Sequence, residues 1–148
     1  LSAGVYRPGP GGRDEPGRDE SRRDAPRREQ ARRRIASRDL LLLDGATGTE
    51  LERRGLPTSL PLWSAPALQE HPEVVREIHA AYARAGVDVL TANTFRTQRS
   101  VLAAGGLADR AEALTRRAVE LAREGAREAP VPPLVFGSAP PLADCYRP

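Results

Sequence analysis

Asp44 is the carboxylate around which chemistry could be built. It closes a run of four leucines at 40–43 and is followed by Gly45-Ala46-Thr47-Gly48-Thr49-Glu50. Two glycines let the backbone turn sharply, and Thr47 and Thr49 are suited to cap a helix that starts near Glu50. An apolar run ending on such a turn brings one carboxylate and several backbone N–H groups to a single point. In α/β proteins that point, just past the carboxyl end of a strand, is where ligands bind. The alternative is that Asp44 is only a turn or cap residue, and this stretch alone leaves both open.

A second polar tip has the same plan. The apolar, β-branched run at 87–92 ends at Asn93-Thr94-Phe95, and a third run at 134–136 ends at Gly137-Ser138. Asn93 and Thr94 could line a rim together with Asp44 or could simply cap the next helix. Neither His71 nor His79 is assigned a role: a lone histidine on a helix is most often structural, and His71 stands in a cap region. Trp63, in a loop with three prolines between 56 and 66, reads as a lid or core anchor.

These groups need elements to hold them. The leucines at 40–43 suit a short strand buried on both faces. Residues 49–54 read as one or two helical turns ended by Gly55. Pro72 fits the first turn of a helix in which Val74, Val75, Ile78, Tyr82 and Ala85 recur at helical spacing until Gly86. After the strand at 87–92 comes a short helix at 97–104. Asp109 can then cap a longer helix whose inner stripe is Ala111, Leu114, Ala118, Leu121 and Gly125. The prolines at 130–133 break the chain before the third strand, and 139–148 is a Pro-rich loop. The order is β-α-β-α-β, which implies parallel strands joined by right-handed crossovers, in a sheet either open or closed.

Composition divides the chain in two. Residues 1–38 carry 11 arginines against 6 acids, with almost no large apolar side chain between Tyr6 and Ile35, and read as a disordered Arg/Gly/Pro-rich leader. A short helix at 27–36 would be marginal in isolation. Residues 39–148 carry 12 arginines against 14 acids and form the domain, whose slight acidity argues against a basic nucleic-acid groove. Non-enzymatic nucleic-acid binding through the leader is kept as an alternative, weakened by its interspersed acids and its lack of interleaved aromatics. One cysteine, Cys145, excludes an internal disulfide framework and a multi-cysteine metal site within these residues. There is no apolar run long enough for a membrane helix and no signal peptide, so the default setting is cytoplasmic. A chain that starts at Leu1 and has no methionine also reads as incomplete at its start.

With all three strand ends in view, the chain resembles the homocysteine S-methyltransferase family. The residues that carry the resemblance are Leu-Asp-Gly-Ala-Thr-Gly-Thr-Glu-Leu at 43–51, Pro-Leu-Trp-Ser-Ala at 61–65 and Ala-Gly-Val-Asp-Val-Leu-Thr-Ala-Asn-Thr-Phe at 85–95. Gly-Ser at 137–138 and Asp-Cys-Tyr-Arg-Pro at 144–148 are a fourth block. The resemblance implies a (β/α)8 TIM barrel of which this α/β chain is the N-terminal three βα segments, truncated at the C-terminus. It implies methyl transfer from a sulfonium donor, such as S-methylmethionine or S-adenosylmethionine, to the Zn2+-activated thiol of homocysteine, giving methionine. The family's zinc-binding cysteines lie in later regions, so no catalytic or metal residue is assigned here, Cys145 included, and this fragment alone is expected to be inactive. What remains is substrate binding. Asp44 matches the aspartate that holds the substrate ammonium, Gly45 and its neighbours offer N–H groups to the carboxylate, and Thr94, Asn93 and Phe95 line the same rim. A dinucleotide-binding α/β reading of Gly45-Ala46-Thr47-Gly48 is disfavoured: the first fingerprint glycine would fall on Leu43, and Asp44 would face the pyrophosphate with the wrong charge.

Overall fold

The structure, a computed structural model, describes residues 25–37 and 40–141. The chain divides into residues 1–38 and 39–148. In the first unit the described residues form one helix, α1 (Ala25–Ala36). It coincides with the short helix considered at 27–36. Alanine and arginine are good helix formers, Pro26 stands in the first turn where its missing N–H costs nothing, and Arg33 bonds Glu29 one turn back at 2.9 Å.

In the second unit the elements follow the predicted order. They are α2 (Thr47–Arg53), α3 (Ala67–Glu70), α4 (Pro72–Arg84), β1 (Val89–Ala92), α5 (Arg99–Ala103), a 3-10 turn (Ala108–Arg110), α6 (Ala111–Ala126) and β2 (Leu134–Gly137). Pro72 opens α4 as expected, and Gly55 and Gly86 leave α2 and α4 at φ +79° and +90°, where a side chain would be strained. Three expected caps are not made. Neither Thr47 nor Thr49 caps α2, which starts at Thr47 with Ala46 as N-cap, and Asp109 pairs with Arg99 at 2.8 Å instead of capping α6.

β1 and β2 pair in parallel from Val89↔Leu134 to Ala92↔Gly137. The predicted first strand is reduced to a single parallel bridge, Leu43↔Val89, on the other side of β1. Two aspartates account for its brevity. The Asp44 N–H donates to Val89 O at 3.0 Å, but Thr91 N–H then donates to Asp44 Oδ2 at 2.8 Å, where a continuing ladder would use the Asp44 carbonyl. Upstream, Leu42 N–H donates to Asp88 Oδ2 at 3.0 Å and not to a backbone carbonyl. Side-chain carboxylates thus end the pairing on both sides. The expected burial on both faces is also overturned: Leu40, Leu42 and Leu43 are 93%, 54% and 60% exposed, because no described residue packs over them.

Two apolar clusters form the core, one among the helices and one between helices and sheet. One joins Leu51, Leu68, Val75, Ile78, Leu102, Leu114 and Leu121, and the other joins Ala83, Val87, Leu90, Ala126 and Ala129 beneath β1. The stripe of small residues on α6 has a steric origin. At Gly125 the helix lies so close to α4 that an added Cβ would sit 2.7 Å from Ala80 N and 2.8 Å from Arg76 O. His79 is wedged in this contact, fully buried, with neither ring nitrogen hydrogen-bonded. Outside it, Glu128 bonds both Arg76 and Arg84, and Arg84 reaches Glu77 at 2.5 Å. Exposed pairs of this kind add little stability. No helix among the described residues is long and apolar enough to cross a membrane.

Gly125→Ala is expected to destabilise the domain by about 1–3 kcal/mol, because the obstacle is backbone that cannot swing away. A thermal midpoint equal to that of the parent would refute this. His79 makes a second prediction. Burial pushes its pKa from 6.5 down to about 4. Above the unfolded value both states are neutral, whereas between 6.5 and 4 only the unfolded chain takes up the proton. Stability is therefore complete above the upper value and falls as pH drops through the window, by up to about 1.4 kcal/mol per pH unit. Urea unfolding across this window is expected to show a shallower acid slope in His79→Leu than in the parent.

Candidate functional site

The carboxyl ends of the bridge at Leu43, of β1 and of β2 form one rim, built by parallel pairing on both sides of β1. Asp44 stands at its first position. Its carboxylate is half-buried and held by the Thr91 N–H at 2.8 Å. Burial pushes the Asp44 carboxyl above its ordinary value, and hydrogen bonding, from the Thr91 N–H first, pulls the other way. Asp44 is not a helix cap, since Ala46 occupies that position. Among the described residues no salt bridge neutralises it. A desolvated carboxylate, held in place by neutral donors, suits a ligand cation.

The turn after Asp44 lies between two aromatic side chains. A Cβ on Gly45 would meet the Tyr82 hydroxyl at 2.6 Å, and one on Gly48 would collide with Trp63 Nε1. A side chain at either position would have to displace a ring, from α4 at Gly45 and from the 56–66 loop at Gly48. Trp63 is 38% exposed and has φ +50°, a left-handed conformation rare for a bulky side chain. The Tyr82 hydroxyl is pushed up by burial, then by the charges of Glu50 and Asp44, so it remains protonated.

Asn93 and Thr94 are buried on the same rim, and neither caps α5, whose N-cap is Gln98. Each ties down a neighbouring loop. Asn93 Oδ1 accepts from Ser64 Oγ at 2.6 Å while its Nδ2 donates to Ser64 O at 3.0 Å. Thr94 Oγ1 donates to Ser138 O at 2.7 Å and accepts from Ser138 N–H at 2.8 Å. Its single proton is committed, so toward a ligand it can only accept. Thr97 extends the network, its hydroxyl lying 3.0 Å from Thr94 O and 2.7 Å from Thr115 Oγ1. Phe95 is half-buried beneath the Arg96 guanidinium, 5.6 Å from the ring centre.

The rim therefore brings together Asp44, Gly45, Asn93 and Thr94, with Phe95 beside them. Sequence reasoning missed the roles of Thr91, Ser64, Ser138 and the Tyr82 hydroxyl. Thr91 acts through its backbone N–H, for which side-chain type carries no signal; Tyr82 was indistinguishable from a core residue of the α4 stripe.

The family profile described as homocysteine S-methyltransferase matches residues 41–148. The chain belongs to the homocysteine S-methyltransferase family. Over 93 residues it is 46% identical to the homocysteine S-methyltransferase of Escherichia coli, covering 62% of this chain and 30% of that protein. Over 84 residues it is 38% identical to the selenocysteine methyltransferase of Astragalus bisulcatus, covering 56% of this chain and 25% of that one. The crystal structure of a homocysteine methyltransferase from Escherichia coli in its metallated form superimposes with a TM-score of 0.65 at 37% identity, over 74% of this chain and 41% of that one. The chain thus spans less than a third of the length of these curated relatives.

The metallated neighbour points to metal use in the family. The residues described here do not fit a metal centre: no three of their His, Cys, Asp and Glu side chains converge. His79 is enclosed in the α4–α6 contact, and Cys145, with the rest of 144–148, lies outside the described residues.

Thr94→Val should strand the part-buried Ser138 backbone groups and cost about 1–3 kcal/mol, while Thr94→Ser should retain both bonds. Hydrogen exchange at the Ser138 amide distinguishes them: faster exchange is expected in the valine variant alone.

Proposed function

We propose that residues 39–148 are the first three βα segments of a (β/α)8 barrel and supply the amino-acid-binding rim of a homocysteine S-methyltransferase. The parallel order of bridge, β1 and β2 supports this reading, as does the likeness to the Escherichia coli structure. The observation that carries the substrate assignment is the Asp44 carboxylate, half-buried, fixed by Thr91 and paired with no cation among the described residues. It would bind the ammonium of homocysteine. Thr94 Oγ1 can accept from the same ammonium, and the backbone at Gly45 can donate to the substrate carboxylate. Asn93 holds the Ser64 loop in place, and Phe95 adds an apolar wall.

In the reaction, the homocysteine sulfur attacks the methyl carbon of a sulfonium donor. The new S–CH3 bond forms as the donor's S–CH3 bond breaks. Its electron pair returns to the donor sulfur, leaving a neutral thioether and methionine, and the thiol proton is lost to solvent. Such a displacement depends on alignment, which a substrate held at both ammonium and carboxylate provides. Zn2+ is the metal proposed for whole members of the family, supplied by residues other than those described here, and it would lower the thiol pKa.

The test is titration calorimetry of homocysteine against the 148-residue chain and its Asp44→Asn variant at neutral pH. Losing the charged bond should weaken binding about 10-fold or more. Undiminished binding in the variant would overturn the assignment.

A further inference from the structure

We propose that Asn93 is a positioning residue: by clamping Ser64 it holds the Trp63 indole against Gly48, and so braces the turn that carries Asp44 from the end of β1. The inference rests on the proposed substrate-binding role of that turn. The Ser64 carbonyl can only accept, so Asn93 Nδ2 must face it, at 3.0 Å, and this fixes the orientation of the amide. Oδ1 is then turned toward the Ser64 hydroxyl and accepts from it at 2.6 Å. One side chain thus grips one residue through both its backbone and its side chain, and both residues are buried. An aliphatic side chain at 93 would supply neither bond, and a carboxylate would turn an oxygen toward the Ser64 carbonyl. Asn93 follows Ala92, which pairs with Gly137 at the end of β1, so the grip is anchored to the sheet.

Trp63 immediately precedes the gripped residue. Its N–H donates to Ser59 O at 2.6 Å, closing a tight turn, and its φ of +50° is a conformation that a bulky side chain adopts only when its surroundings impose it. The turn fixes Trp63 on one side, and the clamp on Ser64 fixes it on the other. The indole is 38% exposed, so packing holds only part of it, yet its Nε1 lies where a Cβ on Gly48 would have to sit. Gly48 is buried in the first turn of α2, just past Asp44. Tyr82 lies against Gly45 in the same way. The segment that carries Asp44 is therefore held between two rings. Tyr82 is set by its helix, whereas Trp63 stands on a loop and owes its place to the grip on Ser64.

Trp63 is the only tryptophan in the chain, so selectively excited indole fluorescence reports on this position alone. Asn93→Leu removes both bonds of the clamp, Ser64→Ala removes only the hydroxyl bond, and Gly48→Ala pushes the indole from the other side. In the full 148-residue chain, Asn93→Leu should shift Trp63 emission to the red and raise its quenching by acrylamide, and Ser64→Ala should do so to a smaller extent. Adding Ser64→Ala to Asn93→Leu should change nothing further, since the two residues act as one unit. Homocysteine affinity should fall roughly 3- to 10-fold in Asn93→Leu, with its pH dependence unmoved because the charge of Asp44 is untouched. A purely structural clamp would lower the unfolding midpoint alone. Native-state emission and quenching equal to the parent's in these variants overturn the inference, and Ser64→Ala decides by itself if Asn93→Leu does not fold. Gly48→Ala should disturb the indole with the clamp intact; unchanged emission there overturns the link to the Asp44 turn. Asp44→Asn carried alongside isolates the parent reading. If homocysteine binding is indifferent to Asp44, the substrate assignment fails, while Trp63 fluorescence still decides whether Asn93 braces the turn.

Discussion

The structure depends on β1 being the central strand. Val89 pairs with Leu43 on one side and with Leu134 on the other, so a four-residue strand fixes the relative height of all three chain segments that reach the rim. Parallel pairing sends their carboxyl ends the same way, and that alone places the groups following Leu43, Ala92 and Gly137 beside one another. Everything polar at the site is then a local elaboration: Asp44 on Thr91, Asn93 on Ser64, Thr94 on Ser138.

That arrangement explains why so much of the rim is internally bonded. Three strand ends carry loops with little regular structure, and a loop held by one or two buried hydrogen bonds is held cheaply. Asn93 and Thr94 each use a side chain to immobilise a neighbour's backbone, whereas Asp44 is held without a counter-charge. The contrast separates residues that shape the rim from the one that leaves a charge unmet. Behind the rim, the tight α4–α6 contact at Gly125 sets how closely the helical layer approaches and seals His79 away from solvent.

Much of this was legible in the amino acids, and the exceptions have physical causes. Helix starts and stops followed from Pro72, Gly55 and Gly86 because backbone conformations there are restricted by covalent geometry. The stripe from Ala111 to Gly125 was visible as periodicity, though its reason, backbone against backbone, was not. The four leucines looked like a doubly buried strand, yet burial depends on what lies opposite, and the described residues place nothing there. Asp109 looked like a cap, but an arginine on α5, remote in the periodic pattern, competes for it.

By itself the sequence determined the order of elements, the family, and the identity of Asp44, Gly45, Asn93, Thr94 and Phe95 as the residues at strand ends. These are properties of local pattern, set by spacing and by turn chemistry within a few positions. Only the tertiary structure decided how those residues are used. Thr91 holds Asp44 from 47 positions away, and Ser138 holds Thr94 from 44. Hydrogen bonds between distant segments depend on strand register, and no local pattern records it.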